Sequence, residues 1–352
     1  MTLWFSASAV VPTLSVKWDL SSSSGAWLTM SVQIGFVAGT AASALLSLPD
    51  VMSSRRLFAI SAFLGAGSNA AFALFAEDLA TGVPMRFLTG VFLAGVYPPG
   101  MKLASTWSRR HRGFAIGLLV GALTVGSASP HLVRSLSSLP WQQVMLVSSV
   151  LAAFGEGIVL ALVRDGPFAA APARFDPRFV VRSLSQRGVR LANLGYLGHM
   201  WELYAMWTWV PIFLVQALEA RSGSPAAARV IAFSVIAVGS VVGGVLADRV
   251  GRTAVTVGAM VLSGGTALLV AGLADASLVV LTPILLVWGA TVVADSAQFS
   301  AAVTELRPPE YVGTSLTIQT AMGFLLTLFS IQLVPLFVDA QGWTLAFATL
   351  AL

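Results

Sequence analysis

His199 and Glu202 stand three residues apart inside the long apolar run 190–215, a spacing that puts an imidazole and a carboxylate on one face of a helix. A charged side chain inside a membrane-spanning helix costs at least ~2.5 kcal/mol, so such groups face protein or water and pair with one another. A carboxylate beside an imidazole in that setting is a proton-handling site, with Tyr196 one turn away. A second acid and amide, Asp295 and Gln298, repeat the three-residue spacing in the run 278–303. The one arginine well inside an apolar stretch is Arg86, in 82–106, where Arg86, Gly90, Leu93 and Tyr97 share a helical face. Arg86 is either a cation for a solute or a hydrogen-bonding anchor. Asp295 likewise serves either a solute path or packing. Glu156 reads as a peripheral or snorkelling residue, Lys102 as snorkelling, and Trp207 and Trp209 as an interfacial aromatic belt.

Two charged loops separate the apolar runs. One is Gly244-Val-Leu-Ala-Asp248-Arg249-Val250-Gly251-Arg252; a weaker copy is Ser47-Leu-Pro-Asp50-Val-Met-Ser53-Ser-Arg55-Arg56. An aspartate next to the N-terminus of the following helix is stabilised by the positive end of that helix's dipole. An arginine three to five residues on gives it a partner within about one turn.

These groups must be positioned by helices that cross a bilayer. The 352-residue chain is 57% hydrophobic and 10% charged, with mean hydropathy +0.84. Roughly 25% charge is usual in soluble domains. Apolar stretches of ~20 residues recur almost end to end, the length that spans the hydrocarbon. The fold class is therefore all-α and polytopic. A transmembrane barrel would alternate with period two, and the chain does not. The absence of cysteine excludes disulfides and thiolate metal sites. No cofactor or metal is implied by any motif. The net charge of +5 resides in short loops, a membrane topology signal rather than a nucleic-acid footprint. No basic leader precedes the first apolar run.

The spans are expected at 2–14, 25–48, 57–75, 82–106, 114–136, 141–163, 190–215, 227–247, 254–273, 278–303, 312–337 and 342–352. Arg55, Arg56, Arg109, Arg110, Arg112, Arg164, Arg174, Arg178, Arg182, Arg187, Arg190, Arg249, Arg252 and Arg307 fall on one side, against Lys17, Arg134, Arg221 and Arg229 on the other. The first side is cytoplasmic by the positive-inside rule. Residues 164–189 form a basic, Ala/Pro-rich cytoplasmic linker, within which Phe175–Leu184 is expected as a short helix on the membrane surface.

A constant offset runs through the chain. Pro12 and Pro211 are 199 apart, Asp50 and Asp248 198, Gly90 and Gly289 199, Gly113 and Gly313 200, and Trp141 and Trp343 202. Five pairs in order indicate a tandem repeat of two six-helix halves, 1–163 and 190–352, related by an axis along the membrane normal. Two complete repeats at that offset exceed 352 residues, so the first and last spans are expected to be truncated.

The loops resemble the signature G-x-L-A-D-R-x-G-R-R between the second and third spans of the major facilitator superfamily. The 244–252 copy departs from it at Thr253, and the 47–56 copy has Ser53 in place of glycine. Arg86 and Gly90 resemble the family's R-x-x-x-G of span four. Trp107-Ser-Arg109-Arg110-His111-Arg112-Gly113-Phe-Ala-Ile-Gly117 looks like a segment of facilitator families that carry anions. The drug/proton antiporter signature of span five fails, since Ala122 stands where a proline belongs, and span two lacks the arginine of nitrate porters. The resemblance implies a central cavity lined by spans one, four, seven and ten, holding Arg86, Tyr97, Tyr196, His199, Glu202, Asp295 and Gln298. It implies a conformational latch at Gly244, Asp248, Gly251 and Arg252, with Asp50, Arg55 and Arg56 in the other copy.

No ATP-binding loop, metal cluster or nucleophile–base pair is visible, so an enzyme is not expected. The expectation is a secondary transporter of a small solute working by alternating access, proton-coupled and favouring an organic or inorganic anion. It would act as a monomer in the bilayer of a cell membrane, such as a bacterial inner membrane, without nucleic acid. The alternatives are a drug/proton efflux antiporter and a non-transporting relic or sensor.

Overall fold

The computed structural model describes residues 2–136, 139–171, 184–219 and 240–351, with some further side chains at the segment ends left undescribed. The helices are α1 (Thr2–Lys17), α2 (Ser22–Leu45), α3 (Leu48–Val51), α4 (Ser54–Phe75), α5 (Leu79–Leu93), α6 (Tyr97–Ser105), α7 (Arg112–Leu136) and α8 (Trp141–Leu162). They continue as α9 (Arg187–Glu219), α10 (Ser240–Val250), α11 (Arg252–Gly272), α12 (Leu278–Ala294), α13 (Ser296–Leu306) and α14 (Val312–Ala348). Among the described residues, seven helical stretches are long and apolar enough to cross a membrane. The surface helix expected over 175–184 and most of the span expected at 227–247 lie outside the described residues, as do Arg221, Arg229 and the His131 side chain.

Two of the expected spans are each divided. Residues 82–106 break between α5 and α6, because Pro98 and Pro99 lack the N–H groups that would bond back to Ala94 and Gly95. Both prolines instead occupy the first turn of α6, where no donor is missed. The break corrects the expectation that Tyr97 continues the face of Arg86. Residues 278–303 break at Asp295, the cap of α12, after which α13 begins. The two joints fall at equivalent repeat positions, since 295 − 96 = 199. The expected spans 312–337 and 342–352 run together as α14, bent where Gln341 and Gly342 leave helical angles, Gly342 at φ 74°.

The chain forms two compact units. Unit 1 comprises Met1–Arg109, Ala122–Val189 and Val303–Phe324; unit 2 comprises Arg110–Gly121, Arg190–Ala302 and Leu325–Leu352. In unit 1, α2 packs most extensively on α5. Gly39 makes this possible: a Cβ there would lie 2.6 Å from the Val91 carbonyl oxygen. Val10, Leu14, Leu28, Phe72, Val144 and Met145 form an apolar cluster joined by edge-on contacts among Trp18, Phe72 and Trp141. Asp78 caps α5, and bonds from the Thr81 hydroxyl and amide hold its carboxyl below the usual aspartate range.

The unit 1 portion of α14 is polar yet buried. Thr317 and Thr320 are fully buried, and each donates its hydroxyl to a carbonyl of its own helix, Gly313 and Leu316, at 2.8 and 2.7 Å. In unit 2, Phe347 lies against Phe213, Trp288 and Trp343. Trp209 donates to the Ile331 carbonyl at 3.0 Å and Trp201 to the Thr349 carbonyl at 2.9 Å. Trp207 is 8% exposed, so it belongs to the interior and not to an aromatic belt.

Candidate functional site

The polar groups fall into three clusters within unit 1 and unit 2. In unit 1, Arg86 is fully buried on α5. Its guanidinium donates to the Leu3 carbonyl at 3.1 Å, the Trp4 carbonyl at 2.8 Å and Asn69 Oδ1 at 2.6 Å. Asn69 on α4 also accepts from Ser6 and donates to the Met145 carbonyl and Ser149. This network joins α1, α4, α5 and α8 and fits a hydrogen-bonding anchor, since both Nη atoms of Arg86 are engaged. Asn69 was not singled out in the sequence, although it is an isolated amide in the run 57–75 and so carried a readable signal. Tyr97, half-buried, opens α6 beyond the break. Glu156 is 2% exposed with no hydrogen-bond partner for Oε1 among the described residues, which corrects its reading as peripheral or snorkelling.

In unit 2, Glu202 and His199 both project from α9 into buried surroundings, yet they do not pair. Glu202 Oε1 accepts from Ser263 Oγ on α11 at 2.5 Å and from Trp288 Nε1 on α12 at 2.6 Å. His199 Nδ1 lies 2.8 Å from Asp295 Oδ1, in an orientation too poor for a hydrogen bond. His199 Nε2 has no partner among the described residues, and the Tyr196 and Phe299 rings flank the imidazole at 6.0 and 6.1 Å. The i,i+3 spacing had suggested His199 and Glu202 as proton-sharing partners. Tertiary packing sets the imidazole beside Asp295, while Ser263 and Trp288 bond Oε1 of Glu202. Neither donor was foreseeable: an indole counts as hydrophobic in a sequence, and Ser263 is one small residue among many.

The third arrangement occurs twice. In unit 1 the short α3 follows Ser47, whose φ of 51° is unusual for a residue with a side chain. This turn buries Asp50, and its carboxylate accepts from the amides of Gly313 at 2.9 Å and Thr314 at 2.6 Å, at the start of α14. Lys102 Nζ completes the cluster at 2.5 Å from Asp50 Oδ1 and 2.8 Å from the Pro49 carbonyl. Lys102 is therefore Asp50's cation and not a snorkelling residue. Arg55 instead bonds the Val163 carbonyl at 3.1 Å, and Arg56 is exposed.

In unit 2 the Asp248 carboxylate accepts from the amides of Gly113 at 3.2 Å and Phe114 at 2.9 Å, at the start of α7. Arg252 Nη2 lies 3.3 Å from Asp248 Oδ1, while Arg252 Nη1 donates to Gln298 Oε1 at 2.9 Å. Gly251 turns the chain into α11 at φ 99°, which a side chain would strain. Gly244 and Gly113 let two backbones meet, since a Cβ on Gly244 would lie 2.5 Å from the Gly113 carbonyl oxygen, and one on Gly113 would lie 2.7 Å from Asp248 Oδ1. Each aspartate thus caps a helix remote in sequence, not the helix that follows its loop. Free amides and the helix dipole together make that end a strong carboxylate site. The offset pair Gly113 and Gly313 acquires a reason: each glycine leaves room for a carboxylate on its helix end.

Gly313→Ala and Gly113→Ala are expected to push the aspartates off these amides. Charge-assisted bonds of this kind contribute roughly 1.5–3 kcal/mol, so losing one should shift a two-state equilibrium about tenfold or more. Labelling of a cysteine introduced beside the contact measures the shift. Parent-like labelling in both variants would show that the caps do not hold a conformation. Among the described residues, no three His, Cys, Asp or Glu gather to hold a metal ion.

Solved structures share this architecture at low identity. The human organic anion transporter MFSD10 (TETRAN) superposes with a TM-score of 0.77 at 16% identity, covering 99% of this chain and 94% of that one. The proton:xylose symporter XylE gives 0.72 at 14%, covering 99% and 90%. The E. coli fucose:proton symporter FucP gives 0.72 at 15%, covering 99% and 93%. No curated protein matches the sequence. Residues 1–331 match the family described as the Major Facilitator Superfamily. With that match over most of its length, this all-α, multi-pass membrane chain belongs to the Major Facilitator Superfamily of transporters.

Proposed function

We propose that the protein is a proton-coupled secondary transporter of a small solute that works by alternating access, with six-span halves 1–163 and 190–352 joined by 164–189. Its setting is a cell membrane of the bacterial inner-membrane kind, and its working form a monomer. The observation that carries proton coupling is the buried acid–base cluster of unit 2, where Glu202, His199 and Asp295 stand inside an apolar bundle. Ionisable groups in such a place serve ion or substrate paths far more often than packing. Two structural neighbours, XylE and FucP, are proton symporters, which supports the same reading.

An organic or inorganic anion is the proposed solute. The Trp107–Gly117 segment supports this, as does the structural likeness to the human organic anion transporter MFSD10. Arg86 contributes little to it, because its Nη atoms are occupied by Leu3, Trp4 and Asn69. Vesicles loaded with the purified protein test the proposal. Labelled carboxylates, phosphate esters and neutral sugars would be offered with and without an imposed proton gradient. Uphill accumulation of an anion that collapses with the gradient is expected. Accumulation of none of these solutes under any gradient would reject the transporter reading.

Asp248→Asn is expected to slow turnover several-fold while leaving solute affinity near parental, because the residue contacts helix amides and Arg252 and so biases states. Weakened binding with unchanged turnover would reverse that assignment.

A further inference from the structure

The joint between α12 and α13 carries two buried contacts on a single turn. Asp295, at the joint, faces His199 at 2.8 Å. Gln298 lies three residues on, is fully buried, and accepts from Arg252 Nη1 at 2.9 Å. Arg252 in turn reaches Asp248, whose carboxylate holds the start of α7. The turn is closed on itself by the Gln298 amide donating to the Asp295 carbonyl at 2.8 Å. A movement of Asp295 therefore carries Gln298 with it. The carboxamide has little freedom to compensate: Oε1 is engaged, and Nε2 is buried without a partner among the described residues.

We propose that Gln298 is a positioning residue that links the His199–Asp295 pair to the Asp248 helix cap, so that the charge state of the pair sets how firmly the cap is held. The link rests on the proton-coupled reading above and adds to it the path by which a proton changes conformation. The charged and titratable groups around the path are His199 and Glu202 from α9, Asp295 from the joint, Arg252 from α11 and Asp248 from α10. Of these groups, histidine is the one whose ordinary range spans neutral pH. The break at Asp295 places the acid at the point where α12 ends and α13 begins, so the two helices need not move as one rod.

The chain has no cysteine, so an introduced one reports alone. Ala247 is 3% exposed and adjoins Asp248, which makes Ala247→Cys a reporter of cap release. N-ethylmaleimide labelling of this variant in membranes, divided at each pH by the labelling of the same variant denatured at that pH to remove the thiolate's own pH dependence, is expected to change about fivefold between roughly pH 5.5 and 8. Gln298→Leu, of similar volume without the acceptor, should flatten that pH profile, and so should His199→Gln. Their combination should flatten it no further. Gln298→Glu keeps an acceptor for Arg252 and should restore the slope, which guards against a variant that merely packs poorly. A Gln298→Leu profile displaced uniformly but with the parental slope would overturn the link, as would a flat profile in the parent. A parental slope lost in Gln298→Leu, in a protein whose solute flux moves no protons, would leave the link standing and reject proton coupling.

Discussion

Glu202→Gln is expected to abolish gradient-driven accumulation while sparing exchange of solute for solute. The side chain's surroundings make this substitution informative. Ser263 and Trp288 both donate to Oε1, and the carboxamide oxygen of glutamine can accept both bonds in the same place. Folding is therefore preserved, and the change removes only the ability to release a proton. Glu202→Ala is a different experiment. It leaves two buried donors unpaired at about 1–3 kcal/mol each and should lower the yield of folded protein. Uptake and counterflow in vesicles separate the outcomes. Undiminished uphill accumulation by well-folded Glu202→Gln would end the assignment of Glu202 to proton transfer, leaving it as a brace between α9, α11 and α12.

The second large effect is expected at Arg86, and it is structural. Arg86→Ala strands the Leu3 and Trp4 carbonyls and Asn69 Oδ1 and opens a cavity beneath α5. Each buried acceptor left unsatisfied costs about 1–3 kcal/mol, and three are stranded together, a large share of the stability of most folds. Folded yield by size exclusion and the thermal midpoint should both fall sharply. Arg86→Lys should recover only part of the loss, because an ammonium cannot reproduce the forked geometry that serves three acceptors. If Arg86→Ala instead melts like the parent and loses solute binding, the guanidinium is a solute contact and the anchor reading fails.

What the sequence disclosed follows from how each signal is encoded. Bilayer-length apolar runs and the near-constant offset are chain-local patterns, so the helices and the equivalence of Asp50 with Asp248 could be read directly. The partners of those aspartates could not. Gly313 and Gly113 lie 263 and 135 residues from them, and only folding brings a helix end to each carboxylate. Local spacing also misled on partners at His199 and Glu202, which share a helical face yet lie against Asp295 in one case and Ser263 and Trp288 in the other. It misled again at Lys102, read as snorkelling before Asp50 was seen beside it. The break before Pro98 was written plainly in two successive prolines. The break at Asp295 has no such marker, and repeat position alone could have suggested it.

The buried threonines of α14 bear on how such a helix can part from its neighbours. Thr317 and Thr320 direct their hydroxyls into the carbonyls of their own turns, so these two buried side chains meet their surroundings through dispersion. Moving these two side chains away from what they pack on therefore costs neither of these hydroxyl bonds, and their oxygens retain lone pairs with which arriving water can bond. An aliphatic face of the same shape would resist wetting, and a cross-bonded polar one would resist parting. This one can hydrate and dry repeatedly at low free-energy cost, directly beneath the Gly313 end that Asp50 clasps.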